Sequence, residues 1–311
     1  MNVLVIGTGA IGSFYGSLLA RQGHHVGVVA RADYERIRTH GIWIRSERGD
    51  YHFRPDPVLR SAKELATKPD YVLLCVKVVP GVDRVGLLRE ALGPDTTIVL
   101  IANGVDIESE VDAAFPNHEI ISGLAFVCVT RTAPGEVWHQ AYGRLVFGPY
   151  PAGEISERLK TLCAAFESAG IPCSATEDIA TARWQKCVWN AAFNPLSVLS
   201  GGLATCEILS HQESLVRAIM EEICSIAAVL GHPLPGDIAD KSIASTKKMP
   251  PYKTSMLVDL EAGKPMETEA ILGNAVRAGR RAGIAIPHLE SLYALMKLKE
   301  LQLENTRRSA T

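Results

Sequence analysis

Three polar side chains lie four residues apart in an otherwise apolar segment, "WQKCVWNAAFNPL" (184–196). They are Lys186, Asn190 and Asn194. In an α-helix such residues drift by only about 40° per step, so all three would share one narrow face. An ammonium group can donate a proton and amides can hold a polar ligand, whereas burying these groups without partners is costly. We therefore interpret the stripe as a wall of a wet cleft or ligand site, although it also fits a partly exposed helix face.

A second group of chemically useful side chains lies downstream, in "TSMLVDLEAGKPMETEAILG" (254–273). Its members are Ser255, Asp259, Glu261, Glu267 and Glu269. A carboxylate in this segment could bind substrate hydroxyls or orient Lys186. For Asp259 and Glu261, however, a solvated acidic helix start is the favoured interpretation.

The N-terminal segment carries "GTGAIG" (7–12), in which Gly7, Gly9 and Gly12 have the GxGxxG spacing. The motif stands between two apolar runs, 2–6 and 24–30, and opens a helical pattern, which is the context that a dinucleotide fingerprint requires. Gly7 permits a tight turn, Gly9 lets the backbone approach a pyrophosphate, and Gly12 lets the helix pack closely. The sequence therefore predicts a nicotinamide dinucleotide site that also includes Thr8, Ala10 and Ile11.

The end of the second apolar run indicates which dinucleotide binds. NAD enzymes usually place Asp or Glu there, but this run ends in Arg31 and the first acid is Asp33. A guanidinium group suits a 2′-phosphate, so we expect NADP rather than NAD. The alternative is that Arg31 is only a solvated surface residue.

Two further apolar runs, 71–77 and 97–104, have the continuous apolar composition of buried parallel strands. They end in polar residues that include Lys77 and Asn103. Ligands bind at the carboxyl ends of such strands, so both residues are expected near cofactor and substrate, unless they belong to ordinary loops. Strands are also predicted over 120–129, 135–139 and 144–147, as an antiparallel extension of the sheet.

The second half of the chain has helical periodicity, with helices predicted over 213–230, 237–247, 267–281 and 287–302. Pro195 is expected to end or kink its helix, and residues 304–311 are expected to fray. The predicted fold class is an α/β Rossmann domain (1–176), with a mostly parallel sheet and an antiparallel extension, followed by an all-helical domain (177–311).

Composition excludes several classes of function. The chain has 311 residues, 47% hydrophobic and 21% charged, with a net charge of −2, which gives no footprint for nucleic acid or an anionic membrane. No run approaches the roughly 18 apolar residues of a membrane span, and the N-terminus lacks a basic signal-peptide region. Seven cysteines without a CxxC pair predict neither disulfides nor a metal site. We expect a cytoplasmic protein.

The chain resembles the ketopantoate reductase (2-dehydropantoate 2-reductase) family over nearly its whole length. The shared motifs are "GTGAIG", Arg31, "CVK", "ANG", "WQKCVWNAAFNPL" and the "SML..D...G...E.EAILG" segment before "GIAIP". The resemblance implies NADPH-dependent reduction of the C2 ketone of ketopantoate to D-pantoate, a step toward pantothenate and coenzyme A. It also implies a cleft between the two domains and a homodimer.

The resemblance also implies residue roles. Lys186 matches the general acid and Glu267 the acid that engages substrate hydroxyls. The other substrate positions are Asn103, Asn190, Asn194 and Ser255, and the NADPH positions are Gly7, Gly9, Gly12, Arg31 and Lys77, with Asn103 also close to the cofactor. The family often reads Thr-Glu-Ile-Asp where this chain reads Met-Glu-Thr-Glu (266–269), so Glu269 remains an alternative acid.

Two other functions stay open at this point. One is a D-2-hydroxyacid dehydrogenase of the same family that acts on another branched or aromatic 2-keto acid. The other is a non-catalytic NADP(H)-sensing protein.

Overall fold

The computed structural model describes residues 1–309 of the chain, which divides into two compact units. The first unit contains Met1–Lys77, Val82–Ala102 and Glu108–Ile179. The second contains the chain from Ala180 onward together with two short segments of the first half, Val78–Gly81 and Asn103–Ile107. The two short segments therefore place residues from the ends of sheet strands in the helical unit.

One sheet organises the first unit. Its strands within the described residues are β1 (Asn2–Ile6), β2 (His25–Val29), β3 (Ile42–Ser46), β4 (Tyr51–Phe53), β5 (Val58–Leu59), β6 (Tyr71–Leu74), β7 (Thr97–Ile101), β8 (Ile120–Ala133), β9 (Glu136–Tyr150) and β10 (Cys173–Ala175). The order is β4-β3-β9-β8-β7-β6-β1-β2-β5, with β10 on β9. The run β5-β2-β1-β6-β7-β8 is parallel throughout, which is the strand order of dinucleotide-binding folds. β8–β9 and β3–β4 are antiparallel, so the predicted mixed sheet is confirmed.

Helices flank the sheet and form the second unit. In the first unit they are α1 (Ala10–Arg21), α2 (Tyr34–His40), α3 (Arg84–Ala91), α4 (Ser109–Ala114) and α5 (Glu157–Ser168). The later helices are α6 (Ile179–Leu199), α7 (Thr205–Val229), α8 (Ile238–Lys247), α9 (Ser255–Glu261), α10 (Asn274–Arg281) and α11 (Pro287–Ser309). A π-helix over Glu269–Gly273 leads directly into α10. The predicted helical second half is confirmed.

The first unit has a hydrophobic core on each face of the sheet. Side chains alternate along a strand, and Val3 and Val5 of β1 belong to one core while Leu4 and Ile6 belong to the other. α1 and α5 cover the first core, and α3 and α4 cover the second. Burial on both faces explains why the strands read as continuous apolar runs rather than as alternating ones.

The second unit has a single core, built mainly from α6, α7, α8, α10 and α11. All seven cysteines are free thiols. Within residues 1–309, no helix has the length and apolarity that crossing a membrane requires.

Several predicted elements differ from the structure. The strands predicted at 135–139 and 144–147 form one strand, β9, because β8 pairs with β9 along the whole hairpin. Tyr142 and Gly143 have positive φ (67° and 130°), and the pairing continues past them with shifts in register. The helix α6 does not end at Pro195 but continues to Leu199. The proline removes one backbone hydrogen bond, and the packing of Phe193 and Val198 in the core on either side of it offsets this loss.

The C-terminal end is also more ordered than predicted. α11 extends through residues 304–309, which were expected to fray, and residues 310–311 lie outside the described part. Arg307 donates a hydrogen bond of 2.7 Å to the carbonyl oxygen of Gly263, which ties the last turns to the loop after α9. The predicted helix over 267–281 begins instead as the π-helix, a form that a 3.6-residue period does not predict.

A buried histidine joins β9 to β3 in the first unit. The Nε2 atom of His139 lies 3.0 Å from the carbonyl oxygen of Tyr142, and its Nδ1 lies 2.9 Å from the Ser46 hydroxyl. Because a carbonyl only accepts, Nε2 carries the proton and Nδ1 accepts from Ser46. The ring stacks on Phe14 at 4.3 Å. Burial lowers the pKa of His139, although the bond to Tyr142 and the nearby Glu47 oppose this.

We predict that the free energy of unfolding falls as the pH drops below about 6.5, the ordinary pKa of histidine. In that range unfolded His139 binds a proton while the folded ring stays neutral, so the unfolded state binds more protons and stability rises with pH. His139→Gln keeps a donor and an acceptor but cannot titrate. Urea midpoints followed by circular dichroism at pH about 7.5 and 5.5 should therefore shift less in the variant. Equal shifts would exclude His139 as the source.

Candidate active site

The glycine turn between β1 and α1 requires its glycines for steric reasons. Gly7 has φ 104°, and a Cβ there would lie 2.9 Å from the Val76 side chain beyond the end of β6. A Cβ on Gly12 would lie 2.1 Å from the carbonyl oxygen of Gly7 and 2.9 Å from Val5 of β1. The turn, the helix and the two central strands therefore meet at a distance that a larger residue would prevent.

The same turn is open where a ligand would approach. A Cβ on Gly9 would meet no atom within 4 Å. Gly9 is the N-cap of α1 and offers no side chain to the first-turn N–H groups of Ala10, Ile11 and Gly12, which helix geometry leaves without intrahelical acceptors. β1 and β6 are also the neighbours where the strand order reverses, the usual place for a ligand in such sheets. Together with Thr8, these residues fit a dinucleotide pyrophosphate.

The end of β2 presents a cation rather than a free acid. Arg31 is exposed, and its guanidinium makes no hydrogen bond or ion pair with any residue in 1–309. Asp33 is buried, and its carboxylate accepts from Arg131 at 2.5 Å and from the Gly135 N–H at 3.4 Å. The acid closest to the strand end is therefore already used inside the first unit.

In the second unit, one amide is bonded to both a cation and an acid. Lys186 Nζ donates to Asn103 Oδ1 at 2.9 Å, and Asn103 Nδ2 donates to Glu267 Oε2 at 3.1 Å. The other carboxylate oxygen, Oε1, accepts from the backbone N–H of Val78 at 3.2 Å. Glu267 is buried, while Asn103 and Lys186 are half-buried. Three of the residues that the sequence singles out are thus joined in one hydrogen-bonded chain.

The loop that carries Asn103 is held by backbone contacts. The Gly104 carbonyl accepts from the buried Arg183, one turn before Lys186 on α6, at 3.2 Å. The next N–H, that of Val105, donates to the Ala270 carbonyl of the π-helix at 3.1 Å. Gly104 has φ 102°, and a Cβ there would lie 2.5 Å from that carbonyl oxygen. Asn103 is therefore fixed between the helix of Lys186 and the segment of Glu267.

The two candidate acids have different surroundings. Glu269 forms ion pairs with Arg277 at 2.8 Å and Lys297 at 3.0 Å, and accepts from the Tyr293 hydroxyl at 2.9 Å. Burial raises the pKa of Glu269, but these donors outweigh it and hold the pKa below its usual range. Glu269 therefore braces the π-helix against α10 and α11, whereas Glu267 joins Asn103 and Lys186.

The other predicted substrate residues lie along α6 and at the start of α9. Asn190 and Asn194 are buried, and neither amide atom of Asn194 has a hydrogen-bond partner within residues 1–309. Ser255 is exposed and begins α9, whose N-cap Thr254 lies 2.6 Å from Ser197 of α6, hydroxyl to hydroxyl. Trp189 and Phe193 pack on the neighbouring face with ring centroids 4.9 Å apart.

The structure thus groups the predicted residues in two sets. Lys186, Asn103 and Glu267 share direct bonds in the second unit, where Asn190, Asn194 and Ser255 also lie. The glycine turn, Arg31 and the half-buried Lys77 belong to the first unit.

Sequence reasoning missed two contributors to the second set, Val78 and Arg183. A backbone N–H leaves no mark in a sequence. Arg183 could have been found, because it lies three residues before Lys186 and so shares its helical face.

The arrangement can act as a proton donor. The ammonium group of Lys186 is held by an amide that also bonds a buried carboxylate, and its helix carries two further amides. Such a group can donate a proton to a developing alkoxide, and the other side chains can hold hydroxyl or carboxylate groups of a ligand. The glycine turn of the first unit supplies the phosphate-binding geometry of a redox cofactor. These are the parts of a dinucleotide-dependent oxidoreductase.

Comparison with known proteins agrees with this architecture. A family model described as ketopantoate reductase PanE/ApbA matches residues 3–152, and the model of that family's C-terminal part matches residues 178–300. A relative from Nostoc sp. named 2-dehydropantoate 2-reductase is 31% identical over 301 residues, covering 94% of this chain and 93% of the relative.

Solved structures extend the similarity. The crystal structure of a 2-dehydropantoate 2-reductase from Methylococcus capsulatus is 72% identical and superposes with a TM-score of 0.94, covering 97% of this chain and 98% of that one. The corresponding enzyme from Geobacter metallireducens is 33% identical, with a TM-score of 0.90 and coverage of 96% and 100%.

We predict that Gly104→Ala destabilises the protein more than Gly81→Ala. Both glycines have positive φ, so each substitution costs on the order of 1 kcal/mol in backbone strain. Only at Gly104 would the new Cβ also collide with a backbone carbonyl, and relief of such overpacking costs about 1–3 kcal/mol. Urea denaturation of both variants measures the difference. Equal losses in the free energy of unfolding would show that the 103–107 loop can shift to accommodate the new Cβ.

Proposed function

Because the chain belongs to the ketopantoate reductase PanE/ApbA family, whose members are NAD(P)-dependent oxidoreductases, we propose that it reduces ketopantoate (2-dehydropantoate) to D-pantoate with NADPH. This reaction serves pantothenate and coenzyme A biosynthesis. The observation that carries the proposal is the hydrogen-bonded chain from Lys186 through Asn103 to Glu267. A protein that only senses the cofactor has no need for a proton donor held in this way.

In the proposed mechanism, Lys186 is the general acid. Its ammonium group donates a hydrogen bond to the keto oxygen and then the proton that turns the developing alkoxide into the product hydroxyl. NADPH, when bound, supplies the hydride that reaches the keto carbon. Asn103 holds the ammonium group through its Oδ1 atom, so the proton is presented from a fixed position. Lys186 regains a proton from solvent after product release.

Glu267 is the proposed partner of the substrate hydroxyl groups. Its carboxylate is fixed by Asn103 and by the Val78 N–H, and carboxylate oxygens have room for further donors. Glu269 is less suited to this role, since Arg277, Lys297 and Tyr293 already bind it.

Asn190, Asn194 and Ser255 are proposed to hold the substrate's polar groups. Asn194 supports this role most directly: it is buried, and within residues 1–309 its amide lacks a partner, which costs roughly 1–3 kcal/mol when nothing compensates. A carboxylate and hydroxyl groups, as in ketopantoate, could accept from and donate to these side chains.

The proposed cofactor site consists of Gly7, Thr8, Gly9, Ala10, Ile11, Gly12, Arg31, Lys77 and Asn103. NADPH is favoured over NADH because Arg31 is exposed and free for a 2′-phosphate, while Asp33 is engaged by Arg131. The phosphate-binding turn and the arginine both lie within the predicted Rossmann domain, 1–176, and the proton donor within the predicted helical domain, 177–311.

We further propose that the protein acts in the cytoplasm as a homodimer. The exposed Leu295, Leu298 and Leu301 on α11 support self-association, since they recur on one side of the helix. Light scattering of the purified protein tests the dimer, and a monomer mass at micromolar concentration would contradict it.

The direct test of function is loss of NADPH absorbance on addition of ketopantoate. The assay is repeated with 2-ketoisovalerate and an aromatic 2-keto acid, and each substrate is also tested with NADH. A higher kcat/KM for another keto acid would identify a different 2-hydroxyacid dehydrogenase. Cofactor binding without any turnover would favour a sensing role.

We predict that Lys186→Ala lowers kcat by about two to four orders of magnitude, the usual contribution of a general acid. NADPH affinity should change little, because the glycine turn and Arg31 are intact. Lys241→Ala is the matched control, since Lys241 is an exposed helical lysine that forms an ion pair with Asp237 at 2.8 Å. Near-normal turnover of Lys186→Ala would exclude it as the acid.

We predict that Arg31→Ala weakens NADPH binding by at least about tenfold and leaves NADH binding nearly unchanged, because only NADPH carries the 2′-phosphate. Fluorescence titration of both cofactors measures the two affinities. Equal losses for both would remove the argument for NADPH selection at this position.

A further inference from the structure

A second arginine emerges beside Arg31 at the same edge of the sheet. β2 and β5 are parallel neighbours with Val29 opposite Leu59, and the Ala30 N–H donates to the Leu59 carbonyl at 2.9 Å. The residues that follow this last pair are Ala30 and Arg31 on one strand and Arg60 on the other. This register places Arg60 opposite Ala30, so Arg31 and Arg60 leave the sheet at the same edge, although 28 residues separate them in the chain.

Arg60 is held in place by the first turn of α2. Its guanidinium carbon lies 3.9 Å above the centre of the Tyr34 ring, and its Nη2 donates to Glu35 Oε1 at 2.5 Å. A guanidinium group has five N–H donors, and within residues 1–309 only this bond of Arg60's side chain is formed. The stacked group is thus oriented in advance, with donors left for a ligand.

Two carboxylates near Arg31, those of Asp33 and Glu35, are already paired with arginines. Glu35 Oε2 accepts from Arg38 at 3.1 Å while Oε1 accepts from Arg60, and Asp33 accepts from Arg131. Arg38 and Arg131 are thus paired with these two carboxylates, and the Glu64 carboxylate accepts from the backbone N–H groups of Arg60 and Ser61. Against Glu64, Arg31 and Arg60 still leave a surplus of positive charge at this edge. The excess positive charge favours a ligand with a dianionic group, and a phosphate can bond two guanidinium groups at once.

We infer that Arg60 is a specificity-determining residue that binds the 2′-phosphate of NADPH together with Arg31. The phosphate lies between the two guanidinium groups, with Arg60 kept in position by Tyr34 and Glu35. NADH has a 2′-hydroxyl there and gains nothing from Arg60. This inference rests on the proposed use of NADPH, but not on the identity of the keto acid.

The competing interpretation is that Arg60 only braces α2 through Glu35 and Tyr34. In that case its removal would affect all adenosine ligands alike, or only the stability of the fold. Arg38 provides a matched control, because it is also exposed and also binds Glu35. It binds the other carboxylate oxygen, Oε2. Arg60→Lys keeps the charge and loses the planar fork, which separates charge from geometry.

The test is isothermal titration of the full-length protein with two probes, adenosine 2′,5′-bisphosphate and 5′-AMP, which differ only in the 2′-phosphate. We expect Arg60→Ala to weaken the bisphosphate about tenfold, as for one lost charge-assisted bond, and 5′-AMP by less than about twofold. Arg60→Lys should lie between, and Arg38→Ala should bind both probes like the wild type. Thermal melting confirms that each variant folds.

Other outcomes overturn the inference. Unchanged bisphosphate binding in Arg60→Ala, or equal losses for both probes, leaves Arg31 as the sole selector and refutes a role for Arg60. Equal binding of both probes by the wild type refutes the proposed NADPH preference as well. Failure to reduce ketopantoate, with probe binding intact, counts against the proposed reaction alone.

Discussion

The geometry of the candidate active site depends on the orientation of one amide, that of Asn103. An ammonium group can only donate and a carboxylate can only accept, so the amide must turn Oδ1 to Lys186 and Nδ2 to Glu267. Rotating it by 180° would break both bonds. A single neutral side chain therefore fixes a cation and an anion from two distant parts of the sequence, which neither a carboxylate nor an ammonium group at that position could do.

The backbone around Asn103 explains how such an amide is held. Gly104 has no side chain, so its loop can come close to the Ala270 carbonyl. The Val105 N–H donates a hydrogen bond to that oxygen. Glu267 lies one turn before Ala270. The segment that supplies the acid thus also anchors the loop that supplies the amide, and Arg183 ties the same loop to the helix of Lys186. The backbone bond to Ala270 and the buried Arg183 side chain together set the spacing of the three groups.

Local patterns predicted the parts of the site that depend on local geometry. GxGxxG between two apolar runs predicted the turn whose Gly7 and Gly12 leave no space for a Cβ. Spacing by four predicted that Lys186, Asn190 and Asn194 share a face of one helix, because helical periodicity is a property of nearby residues. Fold class followed similarly, since strands buried on both faces have a distinctive composition.

Pairings between distant segments were out of reach of the same reasoning. Glu267 and Glu269 point about 200° apart on a helix, so the sequence shows that they differ in direction but not which one meets Asn103. The π-helix, the single long β9 and the anchoring of α11 by Arg307 likewise depend on partners elsewhere in the fold. Hydrogen bonds of this kind have no periodic signature.

The charge at the end of β2 also depends on a distant pairing that the sequence does not show. Asp33 follows the β2 end closely enough to serve as a ribose-binding acid, if only chain position counted. Its carboxylate is instead buried against Arg131 and the Gly135 N–H, where leaving either group unpaired would cost more than a surface contact could return. The acid is thus committed to joining α2 to the β8–β9 hairpin, and that structural role leaves the strand end positively charged. The proposed preference for NADPH over NADH thus depends in part on Arg131, which lies 98 residues after Asp33 in the chain.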